Sequence, residues 1–337
     1  MTKKLRVQAL CKLGDWMLNL DESSLQSIQQ VHYKNPWYTE EYVLKQFQSL
    51  GQQLAEEKLN KWLLAYPDIN SSKRVGLILA GNLPLVGFHD ILSVLISGFV
   101  AQIKVSSDDA GLTSMVLDRL TQIEPLFVDK IDLVDKLSGY DLIIATGSNN
   151  SARYFEYYFS SKPNIIRKNR NSIALLTGEE REEDLRKVGY DIFDYFGLGC
   201  RSVSKIFIPS GYPISTFFEA IEHFHPSKEH FKYNNNYDYN KSIYLINGEK
   251  HFDNGFLLLK EDKNIASPLA VVFYEEYDHV NDAVAIINNS KERVQCVVTE
   301  GTFELEVPVF PLGSSQCPAL DDYADGVNTL DFLFANQ

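Results

Sequence analysis

Cys200 is the residue of this chain that first raises the question of covalent chemistry. It stands in GLGCRSVSKIFIP, residues 197–209, between a glycine-rich stretch and an apolar run. As a thiolate it could attack a carbonyl carbon and hold an acyl group as a thioester. An unperturbed thiol has a pKa of about 8.5, so this role needs a local field, for which Arg201 and nearby backbone N–H groups are the candidates. Cysteine is also among the most often buried residue types, and this stretch alone leaves packing and catalysis both open.

Three polar loops offer places to bind a ligand. They are GNLP, KVSSDD and TGSNN, and each lies at the end of a short apolar run: RVGLILA, VAQIKVS or DLIIATG. These runs predict strands, and the helical periodicity that follows each loop predicts crossover helices. Strands and helices that alternate in this way form a parallel sheet, in which ligands bind at the carboxyl ends of the strands. The chain contains no G-x-G-x-x-G, so the usual dinucleotide fingerprint is missing.

The elements around these loops predict two domains. Residues 1–70 carry apolar residues at spacings of three and four, which predicts helices, one of them starting after Thr39. After about residue 170 a second alternation begins. Strands are predicted in SIALLTG, KIFIP, AVVFY and VQCVVTE, and helices in EEREEDLRKVGYDIFDYFG and VNDAVAIINNS. Since single cores rarely grow beyond about 250–300 residues, the 337 residues are expected to form two domains.

Three further segments carry weaker signals. LFVDKI is predicted to be another strand of the first sheet, and YNNNYDYNK, residues 233–241, an exposed polar loop. SIYLING and GFLLLKE are predicted to be the strands of a hairpin, with Asp253, Asn254 and Gly255 in its turn.

Composition excludes several classes of function. The chain has 32 Lys and Arg against 45 Asp and Glu, a net charge of −13, and no basic run, which argues against nucleic acid and anionic membrane surfaces. No apolar stretch is long enough to span a bilayer and no signal peptide is recognised, so a cytoplasmic location is expected. The four cysteines form no C-x-x-C pair, and neither a metal site nor a redox dithiol is predicted.

Four loops in a fixed order, GNLPL, IKVSS, ATGSNNSAR and GLGCRS, resemble the motif series of the aldehyde dehydrogenase superfamily. The opening GNLPLVGFHDILSVLISG and the tail CPALDDYADGVNTLDFL resemble its acyl-CoA reductase branch, related to the fatty acid reductase of bacterial bioluminescence. The resemblance implies an aldehyde dehydrogenase-like α/β fold with two parallel-sheet domains and an N-terminal helical segment. Residues 1–170 then hold these helices and a Rossmann-like cofactor domain. Residues 171–337 hold the catalytic cysteine domain, with a C-terminal tail that packs back toward the first domain.

The resemblance also implies roles for individual residues. Cys200 matches the catalytic cysteine, and Asn82 matches the asparagine whose amide helps to form the oxyanion hole. Ser107 falls where NAD-preferring relatives keep a glutamate, so the 2′-phosphate of NADPH is not repelled there; NADPH is the first choice of cofactor and NADH the second. The residues expected to bind this cofactor are Lys104, Ser106, Ser107, Thr146, Gly147 and Ser148.

The implied activity is the NADPH-dependent reduction of a fatty acyl-CoA, or another acyl thioester, to an aldehyde. Arg167 stands where hydrolytic relatives carry the glutamate that activates water, and this departure favours thioester chemistry over hydrolysis. The glutamate that contacts the nicotinamide ribose has only a poor match, at Asn264. Two alternatives remain open: the oxidative, CoA-acylating direction, and a non-reducing acyl-transfer partner in a fatty-acid-processing complex. An acyl-protein donor, an acyl-activating partner protein and a homodimer are also left open.

Overall fold

A computed structural model describes all residues, 1–337. Its α-helices are α1 Lys3–Leu18, α2 Glu22–Gln29, α3 Glu40–Gln53, α4 Glu56–Trp62, α5 Phe88–Ile96, α6 Leu112–Ile123, α7 Asn149–Phe159, α8 Glu182–Phe193, α9 Ile214–Ala220, α10 Phe231–Asn247, α11 Val280–Asn289 and α12 Thr329–Ala335. Its strands are β1 Arg74–Ile78, β2 Val100–Lys104, β3 Ile131–Leu133, β4 Leu142–Thr146, β5 Asn164–Arg167, β6 Asn171–Leu175, β7 Val203–Pro209, β8 Phe252–Asp253, β9 Leu258–Glu261, β10 Val271–Tyr277, β11 Val294–Val298 and β12 Val309–Phe310. No helix is both long and apolar enough to cross a lipid bilayer.

The chain forms two compact units. The first comprises Met1–Asn169 together with Ala319–Gln337, and the second comprises Arg170–Pro318. Each unit is built around one predominantly parallel sheet with helices packed against it. The final segment of the chain, which carries α12, therefore belongs to the first unit.

The first unit contains a five-stranded parallel sheet in the order β3-β2-β1-β4-β5. Its central strands are buried on both faces, as parallel strands covered by helices usually are. The helices of residues 1–70 share the core of this sheet: Leu13 and Phe47 belong to the same buried cluster as Leu77. The predicted N-terminal helices are thus confirmed, and they form an integral layer of this unit. Because β1, β2 and β4 are neighbouring parallel strands, their carboxyl ends lie side by side.

The second unit contains a seven-stranded sheet in the order β12-β11-β6-β7-β10-β9-β8. All neighbouring strands are parallel except β8 and β9, which pair antiparallel. The predicted strands in SIALLTG, KIFIP, AVVFY and VQCVVTE are confirmed as β6, β7, β10 and β11. The helix predicted before Cys200 is confirmed as α8, which begins with three acidic residues in its first turn.

The prediction of an exposed loop at residues 233–241 is wrong, because this segment lies inside helix α10. The buried face of α10 is formed by Tyr233, Tyr237, Asn240 and Tyr244, at spacings of three and four. Three of these side chains have internal partners: the Tyr233 hydroxyl donates to the Phe256 carbonyl at 3.0 Å, the Tyr237 hydroxyl to the Asp253 carboxylate at 2.6 Å and the Asn240 amide to the Leu269 carbonyl at 3.0 Å. A stripe made of tyrosine and asparagine buries like an apolar stripe but does not look apolar in the sequence.

Two other local predictions need correction. SIYLIN belongs to the end of α10 and is not a strand, so the hairpin is shorter than predicted and joins only β8 and β9 around residues 254–257. LFVDKI is mainly a 3₁₀ helix, Pro125–Lys130, and only the following Ile131–Leu133 is a strand. The Glu124 side chain accepts a hydrogen bond from the Leu126 N–H at 3.1 Å, and the fixed φ of Pro125 suits a helix start. Strand β5 was not predicted at all.

Candidate active site

The loop after β1 is held by a buried tyrosine. The Tyr38 hydroxyl lies 2.8 Å from the Gly81 carbonyl oxygen and 2.9 Å from that of Leu83, on either side of the exposed Asn82. Burial, with the charges of Asp109 and Asp108, raises the pKa of Tyr38, so its hydroxyl remains a donor. A side chain on Gly81 would meet the Ser106 hydroxyl at 2.6 Å, which explains the glycine. The loop is therefore fixed while the Asn82 side chain stays exposed.

The loop after β2 presents a lysine and a serine. Lys104, the last residue of β2, is exposed, and so is Ser107. The Ser106 hydroxyl is used internally, since it accepts a hydrogen bond from the Asp108 N–H at 3.2 Å. Asp109 is buried and accepts from the Thr113 N–H at 3.0 Å at the start of α6. Lys104 and Ser107 are thus exposed, whereas the side chains of Ser106 and Asp109 accept hydrogen bonds from the backbone of the same loop and of α6.

The loop after β4 leads directly into helix α7. Thr146 and Gly147 are half-buried, and Ser148 caps the helix, its hydroxyl accepting a hydrogen bond from the Ser151 N–H at 3.2 Å. A side chain on Gly147 would come within 2.9 Å of the Phe155 ring, so the loop packs closely on its own helix. A capped helix start can still bind an anion, because the remaining N–H groups and the helix dipole point outward.

These three strand ends have the donor chemistry that a pyrophosphate requires. Lys104 supplies a cation, the Ser107 and Thr146 hydroxyls supply donors, and α7 supplies a helix N-terminus beside Ser148. All of them lie at the carboxyl edge of the first unit's sheet. The residues present therefore fit a dinucleotide cofactor in chemical type. Asp108 adds an exposed carboxylate to the same edge, which would suit ribose hydroxyls.

Arg167, at the end of β5, is part of a buried ion pair and does not act as a catalytic base. Its guanidinium pairs with the Asp90 carboxylate of α5 and donates to the Thr329 hydroxyl of α12 at 3.1 Å. The two side chains are only 6% and 8% exposed. Arg167 is thus a cation that ties together three elements of the first unit, β5, α5 and α12.

We expect the Arg167–Asp90 pair to matter strongly for stability. Replacing Arg167 by methionine strands a buried carboxylate, and this should lower the free energy of unfolding by about 3–5 kcal/mol. Adding Asp90→Leu should restore most of that loss, because an apolar pair needs no charge compensation. Urea denaturation measures both variants. As a control, Lys168→Met removes the exposed neighbouring pair with Glu156 (2.7 Å) and should cost less than about 1 kcal/mol. Equal losses in the two single variants would contradict the assignment.

The second unit presents Cys200 after an unusual backbone segment. Helix α8 ends at Phe193, and Tyr195, Phe196 and Gly197 then follow in the left-handed region, with φ of 54°, 57° and 78°. Left-handed backbone costs on the order of 1–2 kcal/mol for a residue with a side chain, and here two consecutive aromatic residues adopt it. Both rings are buried, which offsets that cost. Strain of this kind concentrates at functional sites.

Cys200 itself is exposed, at the second position of a turn closed by a hydrogen bond from the Ser202 N–H to the Gly199 carbonyl at 3.0 Å. The Ser172 hydroxyl lies 3.0 Å from the Cys200 carbonyl oxygen and 3.0 Å from the Cys296 sulfur. Because a hydroxyl carries one hydrogen, Ser172 donates to the carbonyl and the Cys296 thiol donates to Ser172. Burial raises the pKa of Cys296 to about 11, which keeps it a thiol. Cys296 is therefore a structural donor, whereas Cys200 is accessible to reagents.

Two other residues considered in the sequence have local roles. The Arg201 guanidinium lies 5.2 Å from the centre of the Phe310 ring, a cation–π distance, next to Cys200 in the chain. Asn264 is exposed and its amide donates to the Asp262 carboxylate at 2.9 Å, within the turn between β9 and β10.

Sequence reasoning missed Ser172 and Asp191 around the Cys200 turn. For Asp191 a signal exists: it lies three residues after Val188 on the buried stripe of α8, where an acidic residue is out of place.

Comparison with solved structures defines the fold. NAD-dependent benzaldehyde dehydrogenase from Corynebacterium glutamicum matches 94% of this chain and 78% of its own, with a TM-score of 0.70 and 14% identity. Aldehyde dehydrogenase 21 from Physcomitrella patens matches 100% of this chain and 84% of its own, with a TM-score of 0.71 and 14% identity. Lactaldehyde dehydrogenase from Escherichia coli matches 90% and 75%, with a TM-score of 0.66 and 12% identity. The chain therefore has the aldehyde dehydrogenase fold, as predicted.

The likeness of this chain to known proteins is one of structure and not of sequence. No family model matches the chain, and no curated protein matches it in sequence. The fold is thus established by backbone similarity across nearly the whole chain, at identities of 12–14% in the three structures described.

Proposed function

We propose that this protein is a nicotinamide-dependent oxidoreductase that reduces acyl thioesters to aldehydes through an acyl-enzyme on Cys200. The observation that carries the proposal is the exposed Cys200 on a hydrogen-bonded turn after α8, in a chain with the aldehyde dehydrogenase fold. The carboxyl edge of the first sheet supports it, because its lysine, hydroxyls and helix N-terminus suit an anionic cofactor.

The chemistry assigned to the chain's own residues has two halves. The Cys200 thiolate attacks the acyl carbonyl, the carbon–sulfur bond to the donor thiol breaks, and that thiol leaves as thiolate. The acyl group is then held as a thioester on Cys200, and the Asn82 amide is assigned the stabilisation of the oxyanion in each half. A reduced nicotinamide cofactor, which Lys104, Ser107 and the start of α7 would hold, would supply the hydride that this acyl-enzyme needs. When the carbon–sulfur bond to Cys200 breaks, the aldehyde leaves and the thiolate is regenerated.

The absence of a base at residue 167 supports thioester chemistry over hydrolysis. Water needs a general base to attack a thioester at a useful rate, and Arg167 cannot act as one, because its guanidinium only donates hydrogen bonds and is paired with Asp90. A thiol acceptor needs less help, because its thiolate is already a good nucleophile. The same argument supports the oxidative, CoA-acylating direction, which the aldehyde dehydrogenase names of the similar structures also favour.

A single-turnover experiment decides between the two directions. Purified protein is mixed with acyl-CoAs of graded chain length, and the acyl adduct is followed by intact mass; NADPH is then added and its absorbance recorded. We expect an adduct that NADPH discharges with release of aldehyde. In the reverse arm, aldehyde, CoA and the oxidised cofactor are supplied. If aldehyde oxidation is faster than thioester reduction, the protein is a CoA-acylating aldehyde dehydrogenase. If neither NADPH nor NADH discharges the adduct, the protein is an acyl-transfer protein.

The cofactor preference is expected to depend on Lys104. As an exposed cation at the end of β2, it is assigned the attraction of a 2′-phosphate, so Lys104→Ala should lower kcat/KM about tenfold with NADPH and much less with NADH. Steady-state kinetics with both cofactors measures this ratio. Asp108→Asn is the matched comparison, because the exposed carboxylate of Asp108 favours NADH. If the wild-type protein prefers NADH and only Asp108→Asn changes the ratio, the NADPH prediction is wrong.

A further inference from the structure

We propose that Asp191 is a positioning residue for Cys200: it anchors residues 313–316, and these residues in turn hold the turn that carries Cys200. The reaction in which this matters is the proposed acyl transfer, so the inference rests on the proposed function. The geometry that supports it lies wholly within the second unit.

The first link joins Asp191 of α8 to the segment before the chain leaves the second unit. One carboxylate oxygen accepts hydrogen bonds from the Ser315 N–H at 3.0 Å and the Ser315 hydroxyl at 2.7 Å. The other accepts from the Gly313 N–H at 2.6 Å. Asp191 and Ser315 are both fully buried, and they are 124 residues apart in the chain. Three donors on one buried carboxylate fix this segment firmly onto α8.

The second link joins this segment to the cysteine turn. The Gln316 amide donates to the Ser202 hydroxyl oxygen at 3.0 Å, and the Gly199 N–H donates to the same oxygen at 3.2 Å. Gly199 and Ser202 are the two ends of the turn whose second residue is Cys200. The path from the carboxylate to the turn is therefore continuous: Asp191 to residue 315, its neighbour Gln316, and Ser202.

The stability of the fold does not by itself explain why residue 191 is an aspartate. Burial raises the pKa of Asp191 to about 6, and the ionisable groups acting on it are Asp194, after the end of α8, and Cys296 of β11. Because this folded-state pKa lies above the unfolded value, the carboxyl group contributes stability at acid pH that is lost as pH rises through about 6. The charged form at neutral pH is thus a cost to the fold. A neutral asparagine avoids this cost but cannot accept from Ser315 and Gly313 with both of its polar atoms.

The cost of the buried charge and the loss of a hydrogen-bond acceptor affect different measurements, and this separates a positioning role of Asp191 from a structural one. In Asp191→Asn we expect only a small change in the midpoint of urea unfolding at neutral pH, because removal of the buried charge offsets the hydrogen bond that the amide nitrogen cannot accept. The rate constant for acylation of Cys200 should fall by about 10- to 100-fold, since a misplacement of about 1 Å costs up to that much. Hydrogen exchange of the peptide covering residues 197–203 should become faster. Asp184→Asn is the matched control: it lies on the same helix and pairs with Arg181 and Lys187, away from the cysteine turn, and it should leave acylation of Cys200 and exchange of residues 197–203 unchanged.

A second variant keeps the test independent of Asp191 itself. Gln316→Ala breaks the second link and leaves the carboxylate intact, so it should slow acylation and speed exchange in the same way. If both variants leave acylation and exchange at wild-type values, Asp191 does not position the turn. If the wild-type protein forms no acyl adduct, the proposed function fails; the exchange rates of the turn still decide whether Asp191 and Gln316 hold it.

Discussion

Cys200→Ala should abolish acyl-enzyme formation, with a loss of reductase activity of about 10⁴-fold or more, because no other residue is assigned the covalent bond. Cys200 is exposed at the second position of its turn, whereas Cys296 is buried with its pKa raised to about 11. Of these two cysteines only Cys200 is exposed to an incoming substrate. Intact mass after mixing with an acyl-CoA measures the adduct, and the absorbance of the reduced cofactor measures turnover.

Cys296→Ala is the matched control for this experiment. It removes the thiol that donates to Ser172 but no accessible nucleophile, so the adduct should still form. Cys200→Ser separates nucleophilicity from size, since the hydroxyl is nearly isosteric but is not ionised at neutral pH. An adduct of undiminished yield on Cys200→Ala would remove Cys200 from the mechanism and direct attention to the other exposed cysteine, Cys317.

Asn82→Ala should lower kcat by about 10²–10³, the usual loss when one oxyanion donor is removed. The loop that carries Asn82 is fixed by the Tyr38 hydroxyl through the carbonyls of Gly81 and Leu83, so the substitution changes the exposed amide and leaves these backbone contacts in place. The KM for the cofactor should change little. Steady-state kinetics together with thermal unfolding measures the variant.

Asn60→Ala, at an exposed position of α4, controls for the loss of a surface amide and should leave kcat unchanged. Asn82→Asp tests the donor directly, because a carboxylate cannot donate a hydrogen bond to an oxyanion and should be at least as harmful as alanine. If Asn82→Ala changes the unfolding temperature but not kcat, Asn82 is a turn residue before Leu-Pro and has no part in catalysis.

Much of the architecture could be predicted from short-range patterns. Helix α6 coincides with LTSMVLDRLTQI, where apolar residues recur with helical spacing, and β1, β2 and β4 coincide with β-branched apolar runs. The order of the loops GNLPL, IKVSS, ATGSNNSAR and GLGCRS indicated the fold, which the structural comparison shows. These signals work because a parallel βαβ unit repeats one local pattern and puts every ligand loop at the same edge of a sheet.

The tertiary structure alone decided the contacts that join distant segments. Arg167 and Asp90 are 77 residues apart, and neither residue's neighbours show that the other will neutralise it in the core. The sequence of helix α10 predicts a loop because the buried face of this helix consists of tyrosines and an asparagine, which have hydrogen-bond partners in distant segments such as Leu269.

The surroundings of Cys200 show the same division. The sequence by itself determined that a cysteine follows a helix in a glycine-rich turn, and it left packing and catalysis both open. Its exposure, the left-handed backbone before it, and the links from Ser172, Gln316 and Asp191 appear only in the folded unit. The physical reason is that periodicity and turn chemistry act over a few residues, whereas burial and hydrogen-bond partners depend on segments that meet only after the sheets have formed.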